Sequence, residues 1–221
     1  IRNCDWVQTC ALPIYALLTQ FLAGHPDRRV QDPTSAQALQ LVRLLDVKSA
    51  IDFCAGRGTK TRQLTTMFPE AHIVANEPDE SRHASLTESF AGNSRVQIAP
   101  LNDPASAWWN KKFDLLVLDL PCSNTGVLAR RPEARYRFTP ASLNSVATLQ
   151  RQIVEDSLPL VRPGGYVLYS TCSIDDQENR SQVKWIAQQF HAKLIEQEST
   201  FPEGNDTSYH DGGYRALLQL P

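Results

Sequence analysis

The sequence predicts an α/β fold: a mainly parallel, doubly wound sheet of about seven strands with helices on both faces. From residue 49 onward, short apolar runs alternate with longer amphipathic stretches of helical period. Strands that alternate with helices in this way pair in parallel, because each helix carries the chain back across the sheet. The length of 221 residues suits one such domain, which can form its core without a disulfide or a metal.

The predicted elements follow in chain order. A first helix begins at Asp32 and Pro33, an acceptor at the N-cap followed by proline in the first turn. Apolar runs then predict strands at about 49–53, 72–76, 95–99, 113–119 and 166–171. Amphipathic stretches predict helices at about 60–68, 79–91, 141–161 and 175–190. The turn of residues 163–165 (PGG) is expected to separate the long helix from the fifth strand. The segments at about 192–197 and 214–220 are expected to be closing strands.

The domain boundary is placed at residue 30. Residues 1–29 are expected to form an N-terminal segment, and residues 30–221 one domain. Residues 1–15 (IRNCDWVQTCALPIY) show no clear period and do not begin with Met. We therefore interpret them as a non-native remnant of a truncated region and leave them out of the fold prediction. The alternative is a genuine N-terminal strand or helix.

The composition excludes several classes of protein. With 42% hydrophobic and 21% charged residues, the chain is neither collagen-like, nor a coiled coil, nor disordered. No run approaches the roughly 20 apolar residues of a membrane span, and no secretory signal is present, so the expectation is a soluble, cytoplasmic protein. Five cysteines without C-x2-C spacing indicate neither a disulfide framework nor a zinc site. The net charge of -2 argues against wrapping nucleic acid by bulk electrostatics, although it allows a local basic patch.

The first motif, residues 52–60 (DFCAGRGTK), leaves a strand and enters a helix. Gly56 and Gly58 allow a tight turn and the close approach of a ligand to the backbone. Glu77 follows at the end of the next predicted strand, where nucleotide-binding sheets place an acid that accepts from ribose hydroxyls. A third glycine and P-loop spacing are both missing, which favours a single nucleoside such as S-adenosylmethionine over NAD or ATP. The alternative is a structural turn.

The second and third motifs each place a cysteine after a strand. Residues 119–126 (DLPCSNTG) follow the fourth strand and contain Cys122, and residues 170–173 (STCS) end the fifth strand and contain Cys172. These strands are neighbours in the doubly wound order, so both thiols are expected to reach one ligand. The acids after Cys172 fit the first turn of a helix, whose positive end would lower the pKa of this thiol. A buried, inert cysteine is the alternative for each.

The loop after Cys122 supplies a candidate RNA-binding patch. Its arginines are interleaved with Tyr136 and Phe138, and guanidinium groups together with aromatic rings suit phosphates and unstacked bases. The alternative is a solvated loop with ordinary surface arginines. The candidate RNA-binding residues are Arg130, Arg131, Arg135 and Arg137.

These motifs, with Glu178 and Asn179 after the third, resemble the RsmB/NOP-type (Sun) RNA cytosine-5 methyltransferases. The resemblance covers about residues 30–221, and the cysteines in P-C-S and T-C-S contexts are its most specific part. It implies a class I methyltransferase, Rossmann-like domain that methylates C5 of an RNA cytosine, expected in ribosomal RNA. Asn124 stands where the family has glycine, and residues 56–59 (GRGT) replace its usual Ala-Pro-Gly-Gly.

The resemblance also assigns roles to residues. Cys172 is implied to be the nucleophile that adds to C6 of the base, and Cys122 to assist product release. Asp119 is implied to recognise the base, and Lys60 to contact it. S-adenosylmethionine is the implied cofactor, with Cys54, Ala55, Gly56, Arg57, Gly58, Thr59, Lys60, Glu77, Asp103 and Asp119 as its binding residues. The implied partner is an exposed or flipped-out RNA cytosine, and the expectation is a monomer without metal or membrane association.

Two other functions remain open at this point. A small-molecule or protein methyltransferase on the same fold would not need both Cys122 and Cys172. An RNA-binding platform that retains the cofactor without catalysis would bind RNA and transfer no methyl group. Fold alone does not separate these alternatives from the RNA enzyme, and the paired cysteines with Asp119 carry the preference.

Overall fold

The structure, a computed structural model, describes residues 17–25, 30–101, 111–205 and 208–221. The chain divides into two units, Ile1–Asp32 and Pro33–Pro221. In the first unit, residues 17–23 are helical. The elements labelled below all belong to the second unit.

Seven strands within the described residues form one sheet, and two short strands form another. The strands of the large sheet are β1 (Ser49–Asp52), β2 (His72–Ala75), β3 (Val96–Ile98), β4 (Phe113–Asp119), β5 (Val161–Thr171), β6 (Lys193–Thr200) and β9 (Gly213–Gln219), and those of the small one are β7 (Glu203–Gly204) and β8 (Tyr209–His210). The order in the large sheet is β3-β2-β1-β4-β5-β9-β6. Its first five strands pair in parallel, and β9 pairs antiparallel with both β5 and β6. The expected doubly wound sheet with two closing strands is therefore confirmed.

The helices of the second unit lie between these strands. They are α1 (Pro33–Gln37), α2 (Thr59–Met67), α3 (Glu80–Ser89), α4 (Ala134–Arg137), α5 (Pro140–Ser157) and α6 (Arg180–Gln189), with 3-10 turns at Ala38–Val42, Thr125–Val127 and Leu158–Leu160. No described helix is long and apolar enough to cross a membrane. Thr139 caps α5 with a capping box, in which its side chain and that of Ser142 each accept the other's backbone N–H.

The central strand β4 divides the core into two layers. Because successive side chains of a strand point to opposite faces, Leu116 and Leu118 pack on one face, and Leu115 and Val117 on the other. The first layer is completed by buried residues of α5 and α6, and the second by those of α2, α3 and the turn Ala38–Val42. Both faces of β4 are therefore buried, which explains why its sequence is almost continuously apolar.

Several boundaries differ from the predictions, three of them near the site described below. The first helix begins at Pro33 as expected but gives way to a 3-10 turn after Gln37. Strand β5 begins at Val161, because this residue pairs with Phe113 before residues 162–165 bulge out and pairing resumes at Tyr166. The Pro-Gly-Gly turn thus lies inside the strand. Helix α6 begins at Arg180 instead of about residue 175.

Candidate active site

The carboxyl ends of β4 and β5 bring the two cysteine motifs together. Asp119, the last residue of β4, is in register with Ser170 near the end of β5. The chain then continues from both strands on the same edge of the sheet, where open α/β sheets bind ligands. Three segments join here through the backbone, because the Gly126 N–H donates to Cys172 O (3.0 Å) and the Gly212 N–H to Gly126 O (2.8 Å).

Cys122 and Cys172 lie in direct contact, with their Sγ atoms 3.0 Å apart. The sequence-based expectation that both thiols reach one place is therefore supported by the geometry. The hydrogen bond between them lowers the pKa of Cys172 and raises that of Cys122, so Cys172 is the sulfur that ionises first. The positive charges of Arg131 and Lys60 also lower the pKa of Cys172, whereas burial and Asp119 raise it.

The helix predicted directly after Cys172 begins later in the chain than expected. We expected the positive end of a helix directly after Cys172, but α6 begins only at Arg180, and residues 176–179 form a turn. Asn179, which directly precedes α6, accepts a hydrogen bond from the Thr171 hydroxyl (2.6 Å) and donates one to Ser173 O (2.9 Å), so the start of this helix still adjoins the residues on either side of Cys172. The largest cause of the lowered pKa of Cys172 is the hydrogen bond with Cys122.

Glu178 holds the two cysteine loops together. Its carboxylate is fully buried and accepts hydrogen bonds from the Ser123 backbone N–H (2.7 Å) and from the hydroxyls of Ser123 (2.5 Å) and Ser173 (2.6 Å). The helical pattern of the sequence predicts Glu178 in the first turn of a helix and does not indicate this contact. The available signal was a serine directly after each cysteine, since Ser123 and Ser173 are the two residues that the carboxylate joins.

Asp119 and Lys60 form an ion pair beside the thiols. The Lys60 Nζ lies 2.6 Å from Asp119 Oδ2, and the Ser170 hydroxyl donates to Asp119 Oδ1 at 3.1 Å. Lys60 is almost fully buried, whereas the Asp119 side chain is 41% exposed. The Asp119 carboxylate is therefore held in place by the buried Lys60 ammonium group and remains accessible from the site. Sequence reasoning placed both residues at the base pocket without foreseeing their contact.

The glycine loop between β1 and α2 is shaped for a ligand that approaches its backbone. Gly56 has a φ of +58°, and a Cβ added there would meet nothing within 4 Å, so open space lies in front of the turn. Gly58 has a φ of +82° and immediately precedes α2, and the first N–H groups of a helix can donate to polar ligand atoms. Glu77 Oε2 accepts the Gly56 N–H at 2.8 Å, and Glu77 Oε1 accepts the Asp79 N–H at 2.9 Å. Oε1 also contacts the Arg82 guanidinium at 3.2 Å, whereas Oε2 retains a further lone pair for a ribose hydroxyl.

Asp52 supplies a buried polar atom beside this loop. Its Oδ2 accepts the Thr61 hydroxyl at 2.7 Å, while Oδ1 has no hydrogen-bond partner among the described residues. Burial raises the pKa of Asp52 to about 6. The open space at Gly56 and the vacant acceptor of Asp52 fit a nucleoside-type cofactor. Burial raises the pKa of the neighbouring Cys54 thiol, which disfavours its thiolate form. Asp103, the remaining predicted cofactor residue, lies outside the described residues.

A cavity of about 190 Å³ lies beside Cys122. Cys122 and Asn124 form part of its lining, together with Arg131, Arg137 and Phe138 from the arginine-rich loop. Two of the four predicted RNA-binding arginines therefore face this space. Arg135 is exposed on α4. Arg130 instead contacts the buried carboxylate of Asp211, with its Nε 2.6 Å from Oδ2. No cluster of metal-ligand residues occurs in the described part of the chain.

Comparisons with known proteins agree with this geometry. The model of the family described as "16S rRNA methyltransferase RsmB/F" matches residues 39–218. Ribosomal RNA small subunit methyltransferase B of Vibrio cholerae is 32% identical over 198 residues, which cover 86% of this chain and 45% of that protein. The protein of the same name from Yersinia enterocolitica is 30% identical over 197 residues, which cover 86% and 46%. The chain thus spans a little under half the length of these curated relatives.

Solved structures show the same fold. A methyltransferase homolog protein from Pyrococcus horikoshii superposes with a TM-score of 0.70 at 21% identity, covering 87% of this chain and 68% of the other. With the strand order described above, this likeness assigns the chain to the class I methyltransferase, Rossmann-like fold.

Proposed function

The chain belongs to the 16S rRNA methyltransferase RsmB/F family, and on that premise we propose that it transfers the methyl group of S-adenosylmethionine to C5 of a cytosine in ribosomal RNA. One observation carries the proposal: two cysteines from the ends of adjacent strands lie 3.0 Å apart, and the pKa of Cys172 is lowered. A methyltransferase acting on an amine or a hydroxyl needs no such pair.

Cys172 acts as a covalent catalyst. C5 of cytosine is a weak nucleophile, so the Cys172 thiolate first adds to C6, and the electron pair of the C5–C6 double bond moves toward C5 and the N3 side of the ring. C5 is then electron-rich enough to be alkylated. After methylation, the C5 proton leaves, the C5–C6 double bond re-forms, and the bond from Cys172 Sγ to C6 breaks.

Cys122 assists the last of these steps. Its thiol contacts Cys172 Sγ, and the hydrogen bond it donates stabilises the thiolate both before addition and after release. The hydrogen bond with Cys172 is the largest cause of the raised pKa of Cys122, and this cause is lost while Cys172 is bound to C6, so Cys122 can then ionise and help to remove the C5 proton.

Asp119 recognises the base at its N3 and N4 edge. Negative charge develops on this side of the ring when Cys172 adds, so a proton or hydrogen bond shared with Asp119 stabilises the adduct. Lys60 fixes the Asp119 carboxylate from behind through its 2.6 Å contact. Its positive charge compensates the carboxylate in the half-buried site.

Residues of the glycine loop hold the cofactor. The open space in front of Gly56 and the hydrogen bond from the Gly56 N–H to Glu77 support cofactor binding by Cys54–Lys60 and Glu77, together with Asp119 at the end of β4. S-adenosylmethionine supplies an electrophilic methyl group on a positively charged sulfur. Asp103 is retained as a cofactor-binding residue in this proposal.

The RNA is held by the arginine-rich loop. Arg131 and Arg137 line the cavity beside Cys122, where they meet the phosphates that flank an inserted base, and Phe138 offers a ring for stacking. Arg135 adds to the positive surface from α4. A base must leave its stack to reach Cys172, so the substrate is a cytosine in a loop, a bulge or partly assembled ribosomal RNA.

The test is methyl transfer from tritium-labelled cofactor to ribosomal RNA, followed by bisulfite sequencing of the product. Wild-type protein is expected to label one cytosine at C5. Cys172→Ala is expected to give neither label nor adduct, whereas Cys122→Ala is expected to accumulate a covalent protein–RNA adduct visible on a denaturing gel.

Each competing function predicts a different result. A small-molecule or protein methyltransferase would retain its transfer activity in both cysteine variants. An RNA-binding platform would bind RNA tightly and transfer no label. If neither cysteine variant changes adduct formation or methylation, the two-cysteine mechanism is wrong.

A further inference from the structure

We propose that the side chain of Asn124 is a positioning residue that holds the nucleophile Cys172 in its protonated form until substrate enters. The proposal rests on the proposed role of Cys172 and adds a residue that controls its reactivity. It follows from a chain of contacts that joins Cys122, Cys172 and Asn124.

The backbone places Asn124 where its side chain can reach both cysteines. Its φ is +62°, in the left-handed region that asparagine tolerates better than other residues with a Cβ, and the turn Thr125–Val127 follows it. From this position, Asn124 Nδ2 donates to Cys122 O at 3.0 Å, and Cys172 Sγ donates to Asn124 Oδ1 at 3.1 Å.

The contact with Cys122 fixes which end of the amide faces the nucleophile. The reverse orientation would place two oxygen atoms, Asn124 Oδ1 and Cys122 O, about as close as the present hydrogen bond, with no proton between them. The amide oxygen therefore faces Cys172. Its partial negative charge accepts a proton from the thiol and repels a thiolate in the same position.

Asn124 thus opposes three of the groups around Cys172. The Cys122 thiol donates to Cys172, and Arg131 and Lys60 are positive, so all three favour the thiolate; Asp119 and Glu178 add negative charge nearby. A hydrogen bond to the neutral form of an acid disfavours its ionisation. Removal of the Asn124 amide is therefore expected to make Cys172 more acidic.

In the resting enzyme, the contact with Asn124 therefore keeps the Cys172 thiol protonated. When a cytosine approaches and Cys172 Sγ turns toward C6, the sulfur leaves the amide oxygen, and the contact that opposed ionisation is lost. The Cys122 thiol contributes the opposite, favourable hydrogen bond to the thiolate. The proton of Cys172 passes to solvent or to a neighbouring base, and no other bond changes.

The test measures alkylation of Cys172 by iodoacetamide between about pH 6 and pH 10, read by mass spectrometry on the peptide that contains it. Asn124→Gly keeps the left-handed backbone and removes the amide. We expect its rate below neutral pH to rise roughly 3- to 10-fold, the size of one lost hydrogen bond, with the pH profile moved to lower pH. Asn124→Asp, which places a negative charge at the same atom, is expected to move the profile to higher pH.

His191→Gly is the matched control. His191 is the other non-glycine residue with a positive φ (+55°) among the described residues, and it is exposed. This variant relieves the same backbone strain without touching a cysteine, and we expect no change in Cys172 alkylation. An unchanged profile in Asn124→Gly, or the same shift in His191→Gly, overturns the proposal. The alkylation assay contains neither RNA nor cofactor. Its result therefore does not depend on whether the protein transfers a methyl group, and failure of one proposal can be distinguished from failure of the other.

Discussion

The Lys60 ammonium group, with only 5% of its side chain exposed, lies 2.6 Å from the carboxylate of Asp119 at the end of the central strand. A lysine buried to this degree retains its charge only with such a partner. The two residues come from different elements, α2 and β4, and they meet at the point where the glycine loop and the cysteine motifs converge.

Lys60→Met is expected to lower methyl transfer by roughly 10- to 100-fold, because Asp119 loses the contact that fixes its carboxylate. Initial rates with tritium-labelled cofactor measure this effect. Lys48→Met is the control, since Lys48 pairs with Asp46 on the surface, with 71% of its side chain exposed. Activity of Lys60→Met within about twofold of wild type would contradict this role.

Glu178→Gln is expected to destabilise the fold by about 2 to 3 kcal/mol, because an amide NH2 would face donors that now bind a carboxylate oxygen. It is also expected to lower kcat more than it raises KM for RNA, since both cysteine loops lose their shared anchor. Urea unfolding and steady-state kinetics measure the two effects. Glu155→Gln, on the exposed side of α5, is expected to change stability by less than about 0.5 kcal/mol. Equal effects of the two variants would argue against the anchor.

Asp52→Asn is expected to change how stability depends on pH. The folded-state pKa of Asp52 is raised from 3.8 to about 6, so the folded protein binds a proton that the unfolded chain has already released. This contribution is present below the unfolded value and is lost as the pH rises through about 6. The amide of the variant cannot ionise. The stability of the variant relative to wild type should therefore rise by roughly 2 to 3 kcal/mol between about pH 4 and pH 7.5. Urea unfolding at each pH tests this, and a constant difference would show that the Asp52 carboxylate is not perturbed.

Gly58→Ala is expected to be more harmful than Gly92→Ala, although both glycines have a φ near +80°. Each alanine carries the cost of a left-handed backbone, about 1 to 2 kcal/mol. At Gly58 the new Cβ would also lie 2.4 Å from Phe90 Cε2 and 2.8 Å from Leu86 Cδ1, whereas at Gly92 it would meet nothing within 4 Å. Crowding should add about 1 to 3 kcal/mol at Gly58. Matched thermal or urea unfolding of the two variants decides the point, and equal losses would refute the crowding argument.

Arg131→Ala and Arg130→Ala are expected to separate RNA binding from stability. Loss of Arg131 should weaken RNA binding, reduce the slope of log K against log salt by about one, and raise the pKa of Cys172. Loss of Arg130 leaves the buried Asp211 carboxylate without this cation, so its main effect should be on unfolding. Filter binding at several salt concentrations and urea unfolding measure these effects. If Arg130→Ala weakens RNA binding and Arg131→Ala mainly lowers stability, Arg130 is the RNA contact.

Most of the fold was predictable, because the spacing of apolar residues and the glycine and proline residues of turns are local features of the sequence. The apolar run of β4 was placed at its observed bounds, and the expected adjacency of β4 and β5 already implied that the two cysteine motifs meet. The start of α6 was not predictable, because Glu178 lies in a helical pattern but is buried through hydrogen bonds from Ser123 and Ser173. Ser123 is 55 positions away in the sequence, so no local pattern indicates this contact. The contact of Asn124 with Cys172 was equally hidden, since it depends on a left-handed backbone and on a residue 48 positions away.

The backbone bonds that join Gly126, Cys172 and Gly212 also order events during synthesis. Strand β9 lies between β5 and β6, and β6 pairs with β9 in the described sheet. The ribosome makes both cysteines well before Gly212 and the strand that follows it. The bond from Gly126 to Cys172 can form once residue 172 has been made, whereas the bond from Gly212 to Gly126 and the pairing of β6 with β9 need residues that are made later. The edge of the sheet where Cys122 and Cys172 meet is therefore completed only when the residues through Gln219 have been made.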